Sequence, residues 1–275
     1  MIITTTKDGR EWRFDLSQPL DLSIPLDFNQ PQPDAFFLSS ATASAVEVGT
    51  FVGDTRRGGG ANCFDVSLNP HGNGTHTECR GHVLKAREAV THALGQFFAH
   101  ATVLSVLSVP ASESFESYGA SQKKADSVIT ATALQKAWEA SGSEWTEALV
   151  LRTLPNSKDK CTRSWSGQNP TYFTTEAINW CLKMEVQHLL VDLPSVDREE
   201  DGGTLPNHCL YWQISPEREA LTEDTKGKTI TEMIYVEEGI NDGPYLLELQ
   251  VPAFVLDAAP SRPVLYAPLA STQET

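Results

Sequence analysis

Short aliphatic runs alternate along the chain with stretches of helical spacing. β-Branched or aliphatic residues bounded by turn formers predict strands over 46–52, 102–109, 148–152, 188–192 and 247–255. After Thr174 and Thr175, both able to cap a helix, apolar side chains fall at Ala177, Trp180, Cys181 and Met184. That i, i+3, i+4, i+7 stripe is a helix laid on a core. A second helix is predicted over about 127–140, and each helix leads into a strand. Interleaved helices and strands predict an α/β domain, with α+β as the alternative, built on a mixed central β-sheet flanked by helices. No internal repeat or linker-like tract divides the chain, so a single domain over 1–275 is expected. Gly58-Gly59-Gly60 reads as a flexible loop, and the acidic stretches 197–203 and 217–227, which flank His208, read as solvated insertions.

Composition narrows the function classes. Hydrophobic residues make up 40% of 275, enough for a sizeable core. Lys plus Arg total 21 against 36 for Asp plus Glu, and the resulting net charge of −15 repels phosphate backbones and anionic lipid surfaces. Neither nucleic acid nor membrane is therefore expected as a partner. Apolar stretches such as 101–109 are too short to span a bilayer, and residues 1–10 are too polar for a signal segment. Five scattered cysteines without a Cys-x-x-Cys pair argue against a disulfide framework and fit a reducing cytoplasm. The chain has no Gly-x-Ser-x-Gly elbow, phosphate loop or dinucleotide fingerprint.

The chemistry concentrates in His71-Gly-Asn-Gly-Thr-His76-Thr-Glu78-Cys-Arg-Gly-His82. If this segment is extended from His76 onward, the period of two puts His76, Glu78 and His82 on one face, close enough for a cation to link the first two. Imidazole with carboxylate suits zinc, manganese or ferrous iron rather than a closed Cys-rich zinc site. Gly72, Gly74 and Gly81 give the backbone the freedom such a turn needs. The bland alternative is a Gly/Asn hairpin with surface histidines. Cys79 turns away from His76 on a strand and reads as a buried spectator thiol, and His92, His100 and His188 read as packing or surface residues.

Gly74-Thr75-His76-x-Glu78-x-x-x-His82 resembles the His-x-Gly-Thr-His-x-Asp-x-Pro-x-His signature of the cyclase family that includes kynurenine formamidase and isatin hydrolase. Further segments resemble the family in the same order. They are Asp21-Leu-Ser-Ile-Pro-Leu26, Phe173-Thr-Thr-Glu-Ala177, Val191-Asp-Leu-Pro-Ser-Val-Asp197 and Leu256-Asp-Ala-Ala-Pro-Ser261 with Pro263-Val-Leu265. The resemblance implies a swivelling β/β/α cyclase-like fold, a homodimer or larger homo-oligomer, and a divalent metal, zinc first and manganese second, bound as one or two ions. It adds His208 and Glu232 to His76, Glu78 and His71 as ligands, and gives His82 the general acid/base role. It implies hydrolysis of a carbon–nitrogen bond in a small amide or lactam, with the ion lowering the pKa of its water toward ~7. The alternatives are a lactonase or ring-closing enzyme on the same site, or a metal-binding protein without activity.

The chain departs from the signature at three points. His71 stands five residues before His76 instead of four, which on a strand would turn it to the opposite face unless a bulge or turn intervenes. Glu78 replaces the usual aspartate, and Arg80 replaces the usual proline, where it is expected to meet a substrate carboxylate at the pocket mouth.

Overall fold

The computed structural model describes residues 1–7 and 9–269, so Asp8 and 270–275 of the expected domain extent lie outside the described residues. Nine strands among the described residues form one mixed sheet: β1 (Leu20–Asp21), β2 (His76–Cys79), β3 (Phe98–Leu107), β4 (Ala148–Leu154), β5 (His188–Val191), β6 (Thr229–Glu232), β7 (Gly243–Glu248), β8 (Ala258–Pro260) and β9 (Val264–Tyr266). Their order across the sheet is β8-β2-β6-β5-β4-β3-β7-β9-β1. The centre, β3 to β6, is parallel. Strands added on both flanks are antiparallel. A short helix, α1 (Val90–Ala93), precedes β3, and α2 (Ala131–Ser141), α3 (Thr175–Lys183) and α4 (Pro206–Trp212) each occupy one crossover between parallel neighbours. Parallel pairing needs such crossovers, so the predicted α/β class holds.

The sheet is buried on both faces in its centre. Along β4, Leu149 and Leu151 face the helix layer with Leu134 of α2, Ile178 and Cys181 of α3 and Trp212 of α4. The alternate residues Ala148 and Val150 join Leu22, Val103, Leu190, Ile234 and Leu247 on the other face. An N-terminal hairpin pairs Ile2–Lys7 with Arg10–Asp15 and packs Phe14 against Trp145, Leu246 and Tyr266. Among the described residues, no helix is long and apolar enough to cross a membrane.

Several boundaries differ from the sequence expectation for identifiable reasons. Residues 127–129 form a strand rather than the start of a helix, because Val128 and Ile129 pair with Tyr172 and Phe173. The helix starts only after Thr130, whose hydroxyl caps the Ala133 amide, and ends at Gly142 in the left-handed region. The strand expected at 247–255 ends at Glu248, four residues before Pro252, which cannot donate to a ladder. The stretch 46–52 is a tight hairpin of Glu47–Val48 and Phe51–Val52 turning at Gly49. The 197–203 stretch is not a solvated insertion: Asp197, Arg198 and Asp201 are buried, and Arg198 pairs with Asp126 at 2.8 Å.

His188 is half-buried at the start of β5, where its Nδ1 lies 2.9 Å from the Thr229 hydroxyl. Burial pushes its imidazole down to about 4, against the pull of Glu147. As pH falls from about 6.5 to 4 the unfolded chain takes up this proton before the folded one, so stability is lost by up to ~1.4 kcal/mol per pH unit. His188→Gln is expected to flatten this part of the acid limb. Urea midpoints of both proteins between pH 7 and 4 test this, and parallel curves would refute it.

Candidate metal centre

β2 lies between β6 and β8, and its register places His76 opposite Glu232 and Glu78 opposite Ile230. Opposed residues of an antiparallel pair share a face, so His76, Glu78 and Glu232 project together. All three are buried. The His76 Nδ1 lies 3.0 Å from the Gly74 carbonyl, which can only accept. That nitrogen therefore carries the proton, and Nε2 is left with its lone pair, 3.4 Å from Glu232 Oε2. Thr75 locks the segment: its hydroxyl donates to the Met233 carbonyl at 2.6 Å and accepts from the Ile24 amide at 2.9 Å.

His71 reaches the cluster because residues 69–74 turn rather than extend. The Asn73 amide donates to the Asn69 carbonyl, its side chain accepts from the Asn69 amide at 2.8 Å, and Gly74 takes φ 85°. The five-residue spacing therefore does not turn His71 away from the cluster. Its Nδ1 is 3.0 Å from Glu78 Oε2 and its Nε2 is 2.9 Å from Asp257 Oδ2. His82 arrives by a different route from the predicted alternation. The chain leaves β2 in a tight helical turn over Arg80–His82, which stacks the His82 ring on His71 at a centroid distance of 4.2 Å. Its Nδ1 lies 3.3 Å from Asp257 Oδ2, and its Nε2 lies 3.9 Å from Glu78 Oε2.

α4 supplies His208. The Asp197 carboxylate accepts from the backbone amides of Asn207 and His208 and from His208 Nδ1 at 2.6 Å. It both caps the helix and turns Nε2 toward Glu78 Oε1, 2.9 Å away, with Glu232 Oε1 at 3.6 Å. Tyr118 donates to the other Asp197 oxygen at 2.9 Å.

The charges are strongly coupled. Burial would raise the Glu78 carboxyl, but the charges of His82 and His208 hold it well below the usual carboxylate range. Burial likewise opposes the charged form of His208, and the Glu78 charge reverses this, holding the imidazole well above its ordinary value. For His71, hydrogen bonding to Asp257 and Glu78 outweighs burial and raises it to about 10. Bonds from His71 and His82 hold Asp257 far below its usual value.

This donor set fits a divalent cation. Ligand atoms of His71, His76 and Glu78, of His71, His82 and Asp257, and of Glu78, His82 and His208 each lie within 4.8 Å of one another. His76 Nε2 is buried without a hydrogen-bond partner, and the buried Glu78 Oε2 meets His71 Nδ1 at 3.0 Å. An orphaned buried polar atom costs about 1–3 kcal/mol, which a shared cation would offset. His71, His82, His208 and Glu232 line a cavity of about 280 Å³ together with Phe36, Ser195 and Leu205. A larger hollow of about 670 Å³ lies against Cys209, Leu210 and Arg218 and touches none of the cluster side chains.

One expectation changes. Arg80 is buried, not at a pocket mouth: its guanidinium binds Glu88 through Nε at 2.9 Å and Nη2 at 3.0 Å, the Thr222 carbonyl at 2.8 Å and Glu223 at 3.2 Å. Its donors are committed to the fold, so it cannot serve as the carboxylate anchor. Asp257 and Asp197 are site residues that the spacing around His76 did not reveal. Both lay in segments that resemble the family, and Tyr118 had no sequence signal. Cys79 points away as expected, its Sγ 3.6 Å from the Glu88 carbonyl and its thiol pushed up to about 12 by burial.

A sequence model of the family described as Putative cyclase matches residues 14–198. The chain belongs to that family. Comparison with curated proteins finds no match. Among solved structures, a novel cyclase superposes with TM-score 0.61 at 15% identity, covering 92% of this chain and 90% of that one. Isatin hydrolase A from Labrenzia aggregata superposes with TM-score 0.59 at 14% identity, covering 91% and 93%. A predicted metal-dependent hydrolase from Bacillus stearothermophilus gives TM-score 0.55 at 12% identity, covering 90% and 98%. At such identities the likeness is one of fold.

Because Asp197 holds the His208 ring from behind, Asp197→Asn is expected to weaken divalent-metal affinity about 10- to 100-fold without unfolding the protein. Competition against a chelating dye, alongside circular dichroism, measures both. An unchanged affinity would remove Asp197 from the site.

Proposed function

We propose that this member of the cyclase family is a metal-dependent hydrolase of a carbon–nitrogen bond in a small amide or lactam. The observation that carries the reading is the convergence of the unpartnered, buried His76 Nε2 and the buried Glu78 carboxylate with His208 and Glu232, next to a more accessible imidazole, His82. His76, Glu78, His208 and Glu232 would hold the ion, with His71 and Asp257 beside them for a second or an expanded site. When bound, a zinc or manganese ion supplies Lewis acidity and an acidified water.

The chain's own residues supply the rest. The His82 side chain is 25% exposed and that of His71 22%, against 2% for His208, so a substrate can meet His82. Asp257 accepts from its Nδ1 and holds the ring, which leaves Nε2 on the Glu78 side to carry a proton. An amide nitrogen departs only when protonated, and His82 delivers that proton after taking one from the attacking water. Phe36 and Leu205 give the cavity an apolar wall, and its volume of about 280 Å³ suits a small molecule rather than a peptide chain. The structural neighbours include a predicted metal-dependent hydrolase and an isatin hydrolase, which supports the same class.

His82→Gln is expected to retain bound metal while lowering kcat by roughly 10²- to 10⁴-fold on N-formyl arylamine or lactam substrates. Elemental analysis and steady-state assays, before and after chelation, are the measurements. Full activity in the variant would end the role of His82, and turnover that survives complete chelation would end the metal-dependent reading.

A further inference from the structure

A polar cavity of about 260 Å³ lies at the carboxyl ends of β3 and β4 and shares no wall residue with the cavity of the metal cluster. On a chain of net charge −15, its wall holds Lys160 and Arg163 and no aspartate or glutamate. Both cations have acidic partners outside the wall. Lys160 is buried and spent, its Nζ donating to Asp192 Oδ2 and to the Thr153 carbonyl, each at 2.7 Å. Arg163 gives Nε and Nη2 to the exposed Asp159 and keeps Nη1 without an acceptor among the described residues. Its guanidinium lies 4.6 Å from the Trp165 ring centroid, a stacking that fixes its plane. Trp165 itself is only 5% exposed, and its buried Nε1 has no hydrogen-bond partner. A hydroxyl relay ends in the same wall. Thr171 donates to Ser127 at 3.0 Å and Ser127 to Ser108 at 2.7 Å, so the Ser108 proton is the one left to give. The carbonyls of Thr153, Pro155 and Leu193 already accept, from Lys160, the Ser157 amide and the Met233 amide.

We propose that this cavity binds the phosphate group of a small phosphate monoester, at a site separate from the metal centre. Its unspent hydrogens call for an acceptor that the chain does not supply, and a buried donor left unmade is costly. They reach the cavity from two sides, Ser108 from the end of β3 and Arg163 with Trp165 from the loop after β4. A tetrahedral oxyanion accepts from such divergent directions, whereas a carboxylate accepts in one plane. The bridge from Arg163 to Asp159 lies at the surface, where an ion pair is weak enough for the guanidinium to be shared with a ligand. The volume exceeds that of a bare phosphate ion, and Leu154, Pro170 and Leu193 give apolar contact for a few carbons. Carboxyl ends of parallel strands are also where open α/β sheets gather ligands. Trp165 packs on Ala35, Met233 and Phe36, and Phe36 lines the cavity of the cluster, so an aromatic partition separates the two sites.

The test titrates the metal-loaded protein with glycerol phosphate, inorganic phosphate and acetate, by calorimetry and by proton–nitrogen NMR of the indole N–H signals. The Trp165 signal, assigned by its absence in Trp165→Phe, is expected to shift downfield with both phosphate ligands, at lower concentration for the ester, and to stay in place with acetate. Phosphate bound to the metal ion leaves that signal where it is. Trp165→Phe, which keeps the ring and removes the N–H, and Arg163→Ala are each expected to weaken binding of glycerol phosphate about 10-fold. Arg57→Ala, which removes an exposed arginine outside the wall, should leave the affinity as it is. Equal affinity for the two phosphate ligands supports the oxyanion site and assigns it to free phosphate. The proposal is overturned by the absence of saturable binding, by an affinity unchanged in both variants, or by acetate that shifts Trp165 as readily as phosphate does. If Arg163→Ala does not fold, Trp165→Phe decides the matter alone.

Discussion

A carboxylate cannot stay ionised inside a protein without compensating positive charge, and Glu78 is fully enclosed. The arrangement around it answers that constraint. Imidazoles come from a turn before its strand, from the turn after it and from a helix more than a hundred residues later, and each supplies charge or a donor. Glu232 lies on the neighbouring strand under the same demand. The centre is therefore built as a balance of buried acids and bases, and a cation is the natural completion of that balance.

The sheet makes the convergence possible. β6 is the last of the parallel strands, and β2 runs antiparallel beside it, so the beginning of one meets the end of the other. The segment after β5 carries Asp197 across the same end, and α4 brings His208 to it. Carboxyl ends of parallel strands are where open α/β sheets gather ligands, and the added antiparallel strand imports a second donor set to that edge.

The fold class and most of the donor set were legible in the sequence, since β-branched runs and one amphipathic stripe at Ala177, Trp180, Cys181 and Met184 reflect burial directly. His76 and Glu78 were legible for the same reason: two residues apart on a strand is a geometric statement. His208 and Glu232 were accessible only through family resemblance, because nothing local distinguishes a helix histidine or a strand glutamate. Arg80 was misassigned because charge suggests a surface, whereas Glu88 from the following segment and Glu223 from a distant one neutralise it inside. The 197–203 loop misled in the same way: its acids are partnered by Arg198, His208 and backbone amides that composition does not reveal.

One contact at the turn before β2 has a wider reach. A Cβ at Gly72 would lie 2.5 Å from a Leu38 methyl and 3.2 Å from the Ala35 carbonyl oxygen, and the Gly72 carbonyl accepts from the Ala35 amide at 3.1 Å. The segment that bears Phe36 and the turn that bears His71 are thereby joined. Any remodelling of that aromatic wall to admit a bulkier guest drags an imidazole with it. The shape of that wall and the place of the His71 ring beside Glu78 are thus mechanically one trait in this scaffold.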